Sequence, residues 1–249
     1  MADRLDVALV TAGVAGSRTH AQRLIRDGLV RVDGTAATKP AMKVGPGARL
    51  EVDDPDGYVS RGAYKLVGAF DAFGPDGLPS PEGLDCLDIG ASTGGFCDVL
   101  LRRGASHVIA LDVGHGQLDP RIAGDPRIIE MSGVNIRDVE PGDLAYAPAM
   151  VVSDVSFISL TYVLPVIARI AAPGAWVVLL VKPQFEVGRA GLDRHGIVTD
   201  PALRERALAK VVGCARECGL TVAATTDSPI EGTHGNHEYL LLARVPERD

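Results

Sequence analysis

The stretch from Leu84 to Phe96, LDCLDIGASTGGF, carries the chemistry most readily read from this chain. An apolar run (Leu84, Cys86, Leu87, Ile89) stops at a glycine-rich turn, which passes into the helical pattern of Phe96 to Arg103. A buried strand feeding a helix through such a turn brings backbone N–H groups close to a ligand at Gly90, Gly94 and Gly95. Unpaired donors at the helix start suit a polar or anionic group. One strand later, His107–Asp112 ends in an acid 22 positions after Gly90, where a carboxylate can accept from two ribose hydroxyls. The combination predicts a site for a nucleoside-bearing cofactor.

A dinucleotide would favour GxGxxG, with its pyrophosphate on the helix dipole. Here the loop reads Gly90-Ala91-Ser92-Thr93-Gly94-Gly95, and Asp88 precedes it. An acid in that position suits a cationic amino-acid tail better than a pyrophosphate. S-adenosylmethionine has an ammonium, a sulfonium and an adenosine ribose, and Asp88 and Asp112 are placed for the first and last. The expected cofactor contacts are Asp88, Gly90, Ser92, Thr93, Gly94, Gly95, Phe96, Asp112 and Val113, with Asn135 at the adenine edge.

The elements that must position this loop follow in order. Gly62–Phe73 reads as a helix carrying Lys65, and Ile128–Glu130 as a short strand. Ala149–Asp154 is a strand whose last residue is acidic. Ser159–Ala172 reads as a helix despite Pro165, and Ala175–Val181 as an all-apolar strand that delivers Lys182 to the same rim. Pro183–Thr199 is a long loop of the kind that covers substrates. Helix Asp200–Glu217 and the strands Thr221–Thr226 and Glu238–Arg244, expected as an antiparallel pair, complete an α/β, Rossmann-like domain.

Ahead of it lies a smaller module. Ser17 can cap a helix from Arg18 to Asp27, stopped by Gly28. Arg18, Gln22, Arg23 and Arg26 fall on one arc of that helix, and Ala21, Leu24 and Ile25 on the other. The strand Leu29–Val32 turns at Asp33-Gly34, and Leu50–Val52 closes the module. Residues 1–50 hold eight Arg and Lys against four Asp, a balance of +4 within a chain of net charge −7. A basic module on an acidic partner is the distribution expected of a polyanion binder.

Composition excludes several classes. Hydrophobic residues make up 46% and charged residues 23% of 249 residues, which is a globular composition. No apolar run approaches the ~20 residues needed to span a bilayer. The start has no basic cluster followed by an apolar core, so no secretion signal is expected, and the cytosol is the expected compartment. Four cysteines in a chain this long make no disulfide framework. Cys214 and Cys218 are spaced i,i+4, but a zinc site would need two further ligands, and no metal is expected.

Two resemblances sharpen these expectations. SRxxAxxLIxxGxVxVDG, then KP, then VxxGxxLxV, resembles the S4 RNA-binding module over nearly all of residues 1–53. That implies phosphate contacts from Arg4, Arg18, Arg23, Arg26, Lys39 and Lys43, which position a protein without reading sequence. Lys65, Asp154, Lys182 and Glu238 resemble the Lys-Asp-Lys-Glu set of the FtsJ-like ribose 2'-O-methyltransferases. With DIGASTGGF, VGHGQL, SDVSFISL, VKPQFEVG and GNHEYLL, the whole chain is similar to the TlyA family of ribosomal-RNA 2'-O-methyltransferases, once called haemolysins. The implied architecture is an α+β S4 domain (1–53), a linker (54–60) and a class I methyltransferase domain (61–249) with a mostly parallel seven-stranded sheet.

The implied reaction is S-adenosylmethionine-dependent methylation of a cytidine ribose in ribosomal RNA. A 2'-hydroxyl is a poor nucleophile, so the site must help remove its proton and align it with the methyl donor. Lys182 is the candidate to sit on that hydroxyl. Crowding by Lys65 would make a lysine a possible base, with Asp154 and Glu238 orienting the pair; which lysine starts neutral stays open. The family has longer and shorter members. Arg4-Leu5-Asp6 opens the first helix almost at the start and the last strand reaches Arg244, so this chain resembles the short form, which implies the large subunit and 23S rRNA as target. Two other readings compete: a membrane-active cytolysin, and a non-catalytic RNA-binding assembly protein.

Overall fold

The computed structural model describes residues 2–12, 14–15, 18–52, 57–232 and 235–247. The expected cap Ser17 and residues 54–56 of the expected linker lie outside the described residues. The chain divides into two compact units, Met1–Ser60 and Arg61–Asp249.

In the first unit, β1 (Asp3–Arg4) leads into α1 (Leu5–Thr11), followed by α2 (Arg18–Arg26). Then come β2 (Val30–Val32), β3 (Thr35–Ala36), β4 (Lys43–Val44) and β5 (Leu50–Val52). Strand β2 is central, antiparallel to both β3 and β5, and β1 pairs with β4. The β2–β3 turn has positive φ at Asp33 (50°) and Gly34 (78°), the backbone that a two-residue hairpin matched to strand twist requires. Ala21, Leu24 and Ile25 of α2 pack with Leu5 and Leu9 of α1 and Val30 and Val32 of β2, so the helical periodicity is realised as the core face.

The second unit runs α3 (Ala63–Phe73), β6 (Asp85–Ile89), α4 (Gly95–Arg102), β7 (His107–Asp112), α5 (Pro120–Ala123) and β8 (Ile128–Ser132). It continues with β9 (Met150–Ser153), α6 (Leu164–Ile170), β10 (Trp176–Val181), α7 (Pro201–Glu217), β11 (Thr221–Asp227) and β12 (Tyr239–Arg244). The sheet order is β11-β12-β10-β9-β6-β7-β8. Only β12 runs against the rest among the described residues, pairing antiparallel with β10 and β11. Each strand is two-sided: Leu87 and Ile89 of β6 lie in the core with Val166 and Ile167 of α6 and Val211 of α7, whereas Asp88 of the same strand faces Cys97 of α4.

The expected helix Ser159–Ala172 is broken. Residues Leu160–Tyr162 form a single 3₁₀ turn capped by Ser159, and α6 begins only at Leu164, with Pro165 in its first turn. Proline has no N–H to donate and clashes with the preceding turn, so it is tolerated at a helix start and not inside. The 128–130 strand extends to Ser132.

Candidate active site

The chain leaves β6 toward β7 on one side and returns to β9 on the other, so the loops after β6 and β9 diverge from a switch point where open α/β sheets bind ligands. Gly90 has φ +83°, and a Cβ there would lie 3.0 Å from the Asp154 carbonyl oxygen. Gly94 has φ +88°, and its Cβ would overlap the Ile122 side chain at 2.2 Å. Both positions have the left-handed backbone that favours glycine, and at Gly90 the neighbouring Asp154 and Val155 backbone leaves a Cβ little room as well.

The loop folds onto Asp112. Ser92 N–H donates to Asp112 Oδ2 at 2.8 Å and Gly114 N–H to Oδ1 at 2.7 Å. Val113 beside it is an exposed apolar side chain, 66% accessible, suited to an adenine face. Two residues missed at the sequence level border this turn: Gln117, whose Oε1 accepts from Ser92 Oγ at 3.2 Å, and His115, packed on Gly133. Their only signal was the VGHGQL motif. Gly133 and Val134 hydrogen-bond to Gly114 and Asp112, which sets Asn135 close by. Its amide oxygen, however, caps a 3₁₀ turn by accepting from Arg137 N–H at 3.1 Å. Phe96 is buried, a core side chain more than a ligand contact. Thr93 is half-buried and Gly95 opens α4.

Asp88 is 1% exposed. Its Oδ2 accepts from the Cys97 thiol at 3.1 Å, and Oδ1 is a buried oxygen with no hydrogen-bond partner. Burial pushes its pKa up to about 7, against the pull of the Cys97 thiol. A buried acceptor left without a donor under the glycine loop is a group that a cationic ligand would satisfy. That orphaned oxygen, the two glycine positions and the Asp112 turn fit an amino acid–nucleoside cofactor.

The second half of the site is made of side chains. Asp154 follows β9 and Lys182 follows β10. Because β12 is antiparallel to β10, pairing Tyr239 with Val181, its first end meets the carboxyl rim and brings Glu238 there. Lys65 arrives from the first turn of α3. The four form a line of alternating charge: Glu238 Oε2 to Lys65 Nζ at 2.6 Å, Lys65 Nζ to Asp154 Oδ2 at 3.9 Å, and Asp154 Oδ1 to Lys182 Nζ at 2.5 Å. All four carry side chains no more than 21% exposed. Asp154 stands between the lysines, so each cation has its own acid instead of crowding the other.

Lys182 Nζ also donates to Ser156 Oγ at 2.9 Å. Next to Ser156, Phe157 is 93% exposed with φ +65°, and its ring lies 5.2 Å from that of Phe185. Ser92 (φ +47°) and Phe157 are the non-glycine residues of the second unit with left-handed backbone among the described residues, one in each half of the site. Such conformations cost about 1–3 kcal/mol and persist where surroundings over-determine them. Ser156, Phe157 and Phe185 stood in SDVSFISL and VKPQFEVG, but nothing in their spacing showed that the two motifs touch.

In the first unit, the predicted basic set separates. Asp6 is fully buried and accepts from Arg4 Nε at 2.9 Å, Arg18 Nε at 3.0 Å and Gln22 Nε2 at 2.7 Å. Those donors hold its carboxyl well below the usual range, Arg4 first. Arg4 and Arg18, expected to lie on phosphate, are therefore tied to an acid through one edge, although the Arg18 side chain is 57% exposed. Arg26, Lys39 and Lys43 are exposed, and Arg23 is half-buried.

A seven-stranded sheet of this order, with a glycine loop and the Asp112 carboxylate at its switch point, is the fold of a Rossmann-like class I methyltransferase, and a small α+β unit precedes it. The FtsJ-like methyltransferase model matches residues 58–245 and the S4 domain model residues 3–50. The chain is 46% identical to the 16S/23S rRNA (cytidine-2'-O)-methyltransferase TlyA of Mycobacterium tuberculosis, over 97% of this chain and 90% of that protein. A solved structure from Streptococcus thermophilus that bears the name hemolysin is 39% identical, covers 100% of this chain and 91% of its own, and superposes with a TM-score of 0.77. An S-adenosylmethionine dependent methyltransferase from Mesorhizobium loti shares the fold at 18% identity, TM-score 0.54, over 72% of this chain and 97% of that one. The chain belongs to the FtsJ-like methyltransferase family, in the TlyA branch that joins it to an S4 domain.

Proposed function

We propose that this protein methylates the ribose 2'-hydroxyl of a cytidine in ribosomal RNA, with the large-subunit 23S rRNA as its target. Likeness to a relative named for 16S/23S rRNA cytidine methylation, over nearly the whole chain, supports a ribosomal-RNA cytidine as the substrate, and the choice of the large subunit is the part that the subunit-labelling test below decides. The line Glu238–Lys65–Asp154–Lys182 supports the chemistry, and it is the observation that carries this reading.

S-adenosylmethionine, when bound, supplies an electrophilic methyl group and leaves as a neutral thioether. The residues that would hold it are the Gly90–Gly95 loop, Asp88, Asp112 and Val113. Lys182 meets the 2'-hydroxyl, for it ends the charged line beside exposed Ser156 and Phe157. There it orients the oxygen and stabilises the alkoxide that attacks the methyl group, while the hydroxyl proton passes to solvent water. Asp154 fixes Lys182 through the 2.5 Å contact, and Glu238 holds Lys65. Phe157 offers a flat apolar surface for a base of the RNA. The S4 unit supplies phosphate contacts through exposed Arg26, Lys39, Lys43 and the outer edges of Arg4 and Arg18. Such an enzyme works where ribosomes assemble, in the cytoplasm.

No helix among the described residues is long and apolar enough to cross a membrane; the membrane-active reading draws on the shared hemolysin name alone. The test incubates 30S and 50S subunits from a strain lacking the gene with labelled cofactor. Label on a 50S cytidine ribose is the expected result. Equal label in 30S subunits would remove the large-subunit preference, and no label in either would remove the function.

A further inference from the structure

Outside the charged line, the described residues of the large unit bury the carboxylates of Asp88, Asp98 and Glu186, and of these Glu186 is the one whose hydrogen bonds join separate strand-end loops. Glu186, in VKPQFEVG, lies four residues after Lys182 with a side chain 1% exposed. Its Oε1 accepts from the Leu160 N–H at 2.7 Å, and its Oε2 from Ser159 Oγ at 2.6 Å and Lys210 Nζ at 3.0 Å. The donors come from two places: the loop after β9, which also carries Asp154, Ser156 and Phe157, and helix α7. Glu186 itself sits on the loop after β10, which carries Lys182 and Phe185. One side chain thus ties together the two strand-end loops from which the reactive half of the site is built.

The tie lies where restraint is needed. Phe157 stands between Asp154 and Ser159 with a left-handed backbone, a conformation that relaxes unless both ends of its loop are fixed. The ends are fixed by β9 on one side and by the Glu186 hydrogen bonds to Ser159 and Leu160 on the other. The Phe157–Phe185 ring contact, 5.2 Å, joins the same two loops nearer the cleft. A buried anion is costly unless its acceptors are filled, and here charge-assisted bonds from a hydroxyl, an amide and an ammonium fill them.

Resting on the reading of Lys182 as the group on the substrate hydroxyl, we propose that Glu186 is a positioning residue for methyl transfer. It clamps the β9 and β10 loops together and so fixes Phe157 and Lys182 relative to Asp154. It touches neither the substrate hydroxyl nor the cofactor loop, so its loss acts on the rate and spares cofactor binding.

The test measures single-turnover methylation of 50S subunits at saturating RNA and cofactor, and cofactor affinity by calorimetry, for Glu186→Ala, Glu186→Gln and Ser159→Ala in the full chain. An ångström of misplacement costs on the order of 100-fold in rate, so Glu186→Ala should fall by about 30- to 100-fold. Its cofactor dissociation constant should stay within about twofold, since the Asp112 turn keeps its own hydrogen bonds. Glu186→Gln keeps the reach and an acceptor for Leu160, and should return to within about tenfold of wild type. Ser159→Ala, which leaves Glu186 in place, should lower the rate several-fold, with no further loss when combined with Glu186→Ala. Glu186→Ala at a near-normal rate, or a rate loss matched by an equal loss of cofactor affinity, would overturn the clamp while leaving the enzyme class standing. Wild-type protein that labels neither subunit would overturn the methyltransferase reading and this role with it.

Discussion

The two halves of the candidate active site are built in opposite ways. The cofactor half comes from one continuous stretch: the Gly90–Gly95 turn, the Asp112 carboxylate and the segment to Gln117, joined by backbone N–H groups donating to a single acid. The half proposed to be reactive draws Lys65, Asp154, Lys182 and Glu238 from positions as far as 173 residues apart, and joins them through side-chain charges. No substitution short of proline removes a backbone donor, so the first half is robust and tunable through one residue. The second depends on every member, because each charge there is neutralised by its neighbour.

That contrast can be broken at its most sensitive point. Lys182→Ala should lower the single-turnover rate by about 10²- to 10⁴-fold, the usual range for a group that acts on a proton in the transition state. Cofactor affinity should be unchanged by calorimetry, and a near-normal rate would disprove the assignment. Next in size is Lys65→Met, which leaves Glu238 buried without its 2.6 Å partner. Removing one member of a buried pair costs about 3–5 kcal/mol, visible as a lower urea midpoint. Adding Glu238→Gln should recover most of that stability without recovering activity, and strict additivity would mean that the pair is not coupled.

The cofactor half should respond differently. Asp112→Ala should weaken S-adenosylmethionine binding by about 10- to 150-fold, the loss of hydrogen bonds to a charged acceptor. Because Ser92 and Gly114 also donate to this acid, the loop should show faster amide exchange while the rest of the sheet does not. The smallest effect belongs to the first unit. Arg26→Ala should reduce the slope of log affinity for RNA against log salt by about one phosphate contact, with the fold intact because the side chain is exposed. Arg18→Ala should cost thermal stability as well, since its guanidinium holds buried Asp6.

Much of the cofactor half was legible in the sequence for a physical reason. A strand, a tight turn with positive φ and a helix are set by neighbours in the chain, so glycine spacing and apolar runs report them. The same holds for α2, whose apolar arc became the core face, and for the Asp33-Gly34 turn. Local rules misled where two local signals competed, as at Pro165, whose missing N–H outweighed the apolar pattern from Ser159. They were silent where a polar residue had two possible partners. Arg18 reads equally well as a phosphate contact or as a partner of Asp6, and only the crossing of α1 and α2 brings that acid within 3.0 Å.

By itself, the sequence determined the α/β class, the strand–turn–helix at Gly90–Gly95, the acid at Asp112 and the basic bias of residues 1–50. It also supplied the quartet as a resemblance. The tertiary structure decided that the four charges alternate along one line, because β12 runs antiparallel to β10 and so starts where the parallel strands end. It also buried Asp88 against Cys97 and left Phe157 exposed beside Lys182. Charges and hydroxyls act over a few ångströms in space, whereas spacing along a chain constrains position only within one element. What joins separate strand ends is therefore the order of the sheet, and that order is a property of the packed core.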